Sequence, residues 1–264
     1  MLSGPDYNGA AMRSFHALFL LIAFLLTSAC GAAASPTPTA TLEPSATPTA
    51  TRDWFPATGT PTSRPQPSAM PTFDMRPGLG EVLLEEDFSD DNLWDTTADD
   101  DALVVVEENQ IHLTQRDTRS YLITTRSEGT YTDFYAEVTV NTNLCRGDDE
   151  YGLVVRALNA TNHFRFALSC DGRAKVDRLY QNSYSNVVAW QPHGSVPSLA
   201  PAEVRLGVWA NGSEMRFFVD GVYLFSVTDS LIYRGGVGVF VRSGGEGDVS
   251  VSFSELTVWA VEDQ

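Results

Sequence analysis

Apolar and polar residues alternate in short runs along the chain from about residue 80 onward. In residues 134–140 every second position is apolar, whereas Tyr135, Glu137 and Thr139 between them are more polar. Successive side chains of a β-strand point to opposite faces, so this period of two predicts a strand with one face in a core. The same alternation recurs in residues 204–208, 215–219, 237–241 and 249–253.

Turn-forming pairs separate several of these runs. Asn211 and Gly212 lie between two runs and are able to take the positive φ of a type I′ turn, and Asp220 and Gly221 precede a further run. No convincing helical stretch of ten residues follows Gly80. Strands that recur without helices predict one antiparallel sandwich or barrel, and about 180 residues are enough for its core.

Short motifs in a fixed order add a family resemblance. They are Asp87-Phe88-Ser89 with Trp94, Tyr151-Gly152-Leu153-Val154-Val155-Arg156, His163-Phe164-Arg165-Phe166, Arg216-Phe217-Phe218-Val219-Asp220-Gly221, Gly235-Gly236-Val237-Gly238 and Phe253-Ser254-Glu255-Leu256-Thr257-Val258. Together they resemble the concanavalin A-like jelly roll, nearest to the branch with 3-keto-disaccharide hydrolase-type domains and related uncharacterised extracellular modules. The resemblance implies an all-β, antiparallel jelly-roll β-sandwich. Its motifs specify strands and turns, so they carry the fold and not a reaction.

The beginning of the chain is patterned differently. Residues 15–26 are an apolar run that as a helix spans about 18 Å, short of the roughly 30 Å of a bilayer core, and this favours a signal peptide over a transmembrane helix. The first eleven residues contain Asp6 and no basic residue, so we hypothesise that translation starts at Met12, directly before Arg13.

Small residues precede the first cysteine. Ser28-Ala29-Cys30 resembles the lipobox of bacterial lipoproteins, although Thr27 stands where Leu is commonest. The resemblance implies a lipoprotein signal peptide over residues 1–29 and acyl chains on Cys30 that anchor the protein to the lipid membrane, with the rest on the extracytoplasmic side. The alternative is an ordinary secretory cleavage site beside a free cysteine.

A tract dominated by Pro, Thr, Ser and Ala follows over residues 30–79. It has almost no aliphatic periodicity and cannot build a core, so we predict a disordered linker. In an extended polyproline conformation it would reach on the order of 150 Å. The folded domain is then expected over residues 80–261.

Charge separates the linker from the domain. The net charge is −17, and all of it lies in residues 81–264, where 30 acidic residues face 13 basic ones. A domain this acidic argues against nucleic acid as a partner, since such binding needs a basic surface. Cations and neutral oligo- or polysaccharides remain as partners.

Two further cysteines form an even pair in an exported domain. Cys145 and Cys170 are predicted to form a disulfide, with free thiols or a metal site as the rival interpretations. Closing a loop of about 25 residues would add roughly 3 to 4 kcal/mol in the chain-entropy model.

Acidic residues are densest over residues 85–108, where no basic residue occurs. Hard carboxylate ligands such as Asp87, Asp90 and Asp91 make a structural Ca²⁺ a candidate cofactor. The alternative is a solvated acidic surface.

Sugar binding on such a fold needs aromatic rings with planar polar groups beside them. Six residues are the candidates for ligand binding: Trp190, Trp209, Arg165, Arg178, Tyr151 and His163. By alternation Arg165 and His163 share a face, opposite the apolar stripe, and Trp209 shares a face with Arg205. The alternative is that these side chains only cover the second face of a sheet.

Catalytic patterns are missing from the sequence. The alternating Glu-x-Asp-x-Glu arrangement of sandwich glycosidases does not occur. Glu246-Gly247-Asp248 begins like it, but Ser250 stands where the pattern has its last Glu. The hypothesis is therefore a cell-surface lipoprotein that presents a non-catalytic carbohydrate-binding module. A glycoside or keto-sugar hydrolase or lyase, favoured by two carboxylates within about 10 Å on one face, and a structural or interaction domain of the cell envelope are the alternatives.

Overall fold

The computed structural model describes residues 73–262. The predicted signal peptide, Cys30 and the predicted linker up to residue 72 lie outside the described residues. Within residues 73–262 no helix is long and apolar enough to cross a membrane.

The domain consists of two antiparallel β-sheets. The nine-stranded sheet has the spatial order β13 (Val222–Thr228), β12 (Glu214–Val219), β11 (Ala202–Asn211), β6 (Phe134–Leu144), β15 (Val249–Val261), β4 (Gln110–Gln115), β3 (Ala102–Glu107) and β2 (Thr97–Ala98), with β1 (Leu79–Glu86) also paired to β15. The six-stranded sheet has the order β10 (Ser183–Pro192), β9 (Arg173–Tyr180), β8 (Asn162–Ser169), β7 (Glu150–Asn159), β14 (Gly236–Arg242) and β5 (Tyr121–Thr125). The only helical element of the described residues is a 3₁₀ turn at Asp91–Leu93.

The core lies between the sheets, as the alternation predicts. In β6 the side chains of Phe134, Ala136, Val138 and Val140 are fully buried in it. Apolar side chains of β7, β8 and β14 oppose them from the six-stranded sheet. The prediction of an all-β, antiparallel jelly-roll sandwich is confirmed.

The two hairpin turns differ from each other. Asp220 and Gly221 both have positive φ, 50° and 74°, and form the two-residue turn between β12 and β13. Between β11 and β12 the prediction is wrong by one residue: Asn211 still pairs with Glu214, and the turn consists of Gly212 and Ser213. Only Gly212 has positive φ there, at 54°, which is the pattern of a type II′ turn.

The disulfide prediction is confirmed. Cys145 follows β6 and Cys170 follows β8, and their Cα atoms lie 5.7 Å apart with the sulfurs bonded. Because β6 and β8 belong to different sheets, the bond ties the two layers together at one end of the sandwich.

Candidate functional site

Charged and aromatic side chains gather on the outer face of the six-stranded sheet, the face turned away from the core. We call this surface the charged face. Its members come from all six strands and are Tyr121, Phe240, Arg242, Glu150, Arg165, Arg173, Lys175, Asp177, Tyr184 and Trp190.

An ion-paired group forms the centre of the charged face. The ammonium of Lys175 lies 2.9 Å from Glu150 Oε2 and 2.9 Å from Asp177 Oδ2, and all three side chains are buried. Burial alone would lower the pKa of Lys175, but the two carboxylates outweigh it and raise that pKa. The ammonium is therefore held charged between two carboxylates.

Two tyrosines extend this centre towards the edges of the sheet. The Tyr184 hydroxyl donates to Asp177 Oδ1 at 2.6 Å, and partial burial together with this carboxylate raises the pKa of Tyr184. Arg165 Nη2 lies 3.8 Å from Asp177 Oδ2, and its guanidinium carbon lies 4.0 Å from the centre of the Tyr121 ring. Contacts thus run from the edge strand β5 to the edge strand β10.

Each aromatic ring of the charged face has a cation beside it. Trp190 has the Lys175 ammonium 4.5 Å and the Arg173 guanidinium carbon 5.1 Å from a ring centre. Arg242 lies 5.3 Å from the Tyr121 ring and binds Glu150 Oε1 through Nη1 at 2.7 Å. Such cation–aromatic contacts fix both partners where water is partly excluded.

Small residues in the middle of the sheet leave room for these long side chains. A Cβ atom on Gly152 would lie 1.9 Å from the backbone oxygen of Phe166 and 3.0 Å from the Phe240 ring. Gly152 pairs with Ala167 across β7 and β8, so both positions beneath the arginine and lysine are small. The glycine of the sequence motif is therefore required by close packing.

The predicted ligand-binding residues do not converge on one surface. Trp190 and Arg165 lie together on the charged face, and Trp190 is half-buried. Tyr151 points into the core instead, and its hydroxyl has no hydrogen-bond partner among the described residues. Arg178 forms an ion pair with Asp229, which follows β13 of the other sheet. Trp209 lies on the outer face of the nine-stranded sheet, 4% exposed.

Several members of the charged face were missed in the sequence. Glu150, Lys175 and Asp177 are its centre, yet none of them was a candidate for ligand binding. The run 173–177 alternates Arg, Lys and Asp with apolar residues, which marks a strand with one charged face. Lys175 is also the only lysine in the chain, so this run was the signal that could have found the site.

The predicted calcium ligands lie near the 3₁₀ turn, away from the charged face. Asp87 accepts a hydrogen bond from the Ser89 backbone and Asp90 one from the Asn92 backbone, and hydrogen bonds from these partners lower both pKa values. No three carboxylate, histidine or cysteine side chains between residues 73 and 262 are grouped to hold a metal ion. Calcium binding through Asp87, Asp90 and Asp91 stays a prediction.

His163 is buried in the six-stranded sheet, and burial lowers its pKa to about 4, with Arg165 adding to the effect. An unfolded histidine has a pKa near 6.5, so between about pH 6.5 and pH 4 the unfolded chain binds the proton that the folded one excludes. We expect the unfolding free energy to fall over this window as the pH is lowered, by roughly 2 to 3 kcal/mol from this group.

Urea unfolding of the protein and of His163→Gln at a series of pH values isolates this contribution, because the carboxylates are common to both. The unfolding free energy of the wild type should fall relative to that of His163→Gln as the pH is lowered from 6.5 to 4. A constant difference would contradict the prediction.

No family model matches the sequence, and no curated protein matches it either. Solved structures do match. They include the carbohydrate binding module CBM66 from Bacillus subtilis, with a TM-score of 0.52, 15% identity and coverage of 64% of this chain and 96% of the other. A Bacillus subtilis protein of unknown function with a galectin-like fold has a TM-score of 0.52 at 11% identity, with coverage of 70% and 99%.

A catalytic fold neighbour is also among them. The GH16 protein of the Bacteroides ovatus mixed linkage glucan PUL, in complex with a product, has a TM-score of 0.51 at 8% identity, with coverage of 67% and 100%. At these identities the likeness shows the fold alone. The domain is thus a jelly-roll sandwich of the kind found in both carbohydrate-binding modules and glycoside hydrolases.

Proposed function

We propose that the protein is a lipid-anchored cell-surface protein whose charged face binds oligo- or polysaccharides without cleaving them. The observation that carries the proposal is the arrangement of Tyr121, Tyr184 and Trp190 around fixed arginine, lysine and carboxylate groups on one sheet face. The anchor is the predicted acylation of Cys30, with the linker as spacer.

The chemistry of sugars fits this surface. A sugar ring presents an apolar C–H face and many hydroxyl groups, so aromatic rings and fixed polar groups recognise it together. Tyr184 is 51% exposed, and Trp190 is half-buried further along the same edge strand. Both are in place to contact a ligand, and the ion pairs beneath hold the surface in one geometry.

The centre of the charged face favours binding over catalysis. Since Glu150 and Asp177 each lie 2.9 Å from the same ammonium, their nearest oxygens are within about 6 Å of each other, near the separation of retaining glycosidases. Both carboxylates, however, are buried and contact the same ammonium, so neither is turned towards a bond in a ligand. The two acids are therefore better placed to fix Lys175 than to cleave a bond.

That same separation supports one alternative, a glycoside or keto-sugar hydrolase or lyase. It requires that a bound ligand displaces Lys175 from one carboxylate. Such an activity would be detected as new reducing ends when the protein is incubated with a glycan that it binds. The Glu150→Gln variant would not produce them. A structural or interaction domain of the envelope would bind no glycan at all.

Glycan-array screening followed by calorimetry tests the binding function. We expect Trp190→Ala to weaken binding by at least about tenfold, roughly 1.4 kcal/mol, because it removes the largest ring of the surface. Tyr233→Ala is the matched control, since Tyr233 is an exposed aromatic residue outside the charged face. Binding unchanged in Trp190→Ala, or absent for every glycan, would contradict the proposal.

A further inference from the structure

A second group of aromatic side chains lies on the opposite side of the sandwich, on the outer face of the nine-stranded sheet. Trp209, Tyr135 and Trp259 are cross-strand neighbours on β11, β6 and β15, and Phe218 lies beside them on β12. Tyr135, Trp209 and Phe218 are nevertheless almost fully buried. An outer sheet face is buried only where something covers it.

The cover is the segment of residues 75–77, directly before β1. The Trp209 indole Nε1 donates to the carbonyl of Pro77 at 3.0 Å, and Arg216 Nη1 donates to the carbonyl of Met75 at 3.1 Å. These are two backbone contacts to a stretch that is not itself a strand. We call residues 75–77 the clasp.

Arg76 lies in the middle of the clasp. Its guanidinium carbon is 5.4 Å from the Tyr135 ring centre and 5.7 Å from that of Phe218, and Nη1 donates to the Tyr135 hydroxyl at 3.4 Å. One arginine thus covers two rings and satisfies one polar group. Arg76 is partly buried in this position, and cation–aromatic contacts contribute more where water is excluded.

The sheet is shaped to receive the clasp. Tyr135 lies across Gly207, where a Cβ atom would be 2.5 Å from its hydroxyl oxygen, and that hydroxyl donates to Glu137 Oε2 at 2.5 Å. Any side chain at position 207 would lift the tyrosine ring from the sheet and expose the surface on which Arg76 lies.

The chain is also fixed on the C-terminal side of the clasp. Gly78 has φ 74° and its carbonyl accepts from the Glu262 backbone at 2.8 Å, and a Cβ atom there would lie 2.3 Å from Glu262 O. Leu79 then pairs with Val261 as β1 begins. The first described residues are therefore held beside the end of the last strand.

We infer that the clasp is a docking contact between the end of the linker and the aromatic face of the nine-stranded sheet, and that it sets the point where the tether joins the domain. This point lies on the side of the sandwich opposite the charged face. The consequence for function rests on the proposed function: residues 73–77 lie on the sheet opposite the charged face, so the start of the tether does not cover the surface that binds a glycan.

Distance measurements between spin labels test the clasp without any ligand. Labels are placed at Phe73→Cys, which is exposed, and at Asn186→Cys, which is exposed on β10 of the six-stranded sheet. The full chain carries Cys30→Ser, so that only the two introduced thiols react. We expect one narrow distance distribution in this protein and a broad one in the Arg76→Ala, Arg216→Ala variant.

Arg234→Ala is the control, since Arg234 lies near Tyr233 and does not touch the clasp. A broad distribution before any clasp substitution, or an unchanged one in the double variant, would overturn the inference. The result is independent of sugar binding, because a narrow distribution together with no glycan bound would leave the clasp in place and remove only the proposed function.

Discussion

Replacing Lys175 with methionine is expected to lower the unfolding free energy of the domain by about 3 to 5 kcal/mol at neutral pH. The substitution leaves Glu150 and Asp177 buried beside each other without their shared counterion. Removing one partner of a buried ion pair costs about this much, and Arg242 on Glu150 and Arg165 near Asp177 compensate only part of the two remaining charges. Urea unfolding followed by fluorescence measures the loss.

Neutral replacements of the two acids give this prediction a specific signature. Because the cost of Lys175→Met comes from the two carboxylates that lose their shared counterion, a variant that also carries Glu150→Gln and Asp177→Asn should recover much of the loss at neutral pH.

Arg234→Met provides the control for loss of an arginine-sized cation at an exposed loop, and it should change stability by no more than about 0.5 kcal/mol. If the variant that also carries Glu150→Gln and Asp177→Asn is as unstable as Lys175→Met alone, the ion-paired centre does not have the energetic role assigned to it.

Replacing Arg156 with methionine is expected to cost a similar amount, about 3 to 5 kcal/mol. The Arg156 guanidinium is fully buried and donates to three backbone carbonyls, at 3.2 Å to Ile232, 3.4 Å to Thr132 and 2.7 Å to Gly212. Methionine fills a similar volume but leaves all three buried acceptors without this donor, and each unpaired group costs about 1 to 3 kcal/mol.

The Arg156 side chain ties together the chain before β6, the β11–β12 turn and the loop before β14. Arg156→Lys keeps the charge but has a single ammonium nitrogen in place of the three nitrogens of the guanidinium. The stability of this variant should therefore lie between those of the wild type and Arg156→Met. Hydrogen exchange should increase in all three segments together in Arg156→Met. An effect confined to β7 would contradict the role of Arg156 as the shared donor.

How far the sequence predicted the site depends on the residue. Arg165 and His163 were placed on one outward face by alternation, and both lie on the side of β8 opposite Phe164 and Phe166. Tyr151 was a ligand candidate from its residue type alone, yet the same alternation puts it beside Leu153 in the core. Trp209 also obeys alternation, but the strand that carries it belongs to the other sheet.

The sequence by itself determined six of the fifteen strands in residues 73–262, the inner and outer positions on them, the disulfide pairing and the concentration of negative charge after residue 80. These depend on local periods of two and on residue types. Only the tertiary structure decided that Tyr121, Glu150, Lys175 and Tyr184 meet on one face, because the order of strands in a sheet is set by pairing between distant segments. The clasp has the same origin: nothing in residues 75–77 indicates a partner, and their binding surface exists only when β6, β11, β12 and β15 lie side by side.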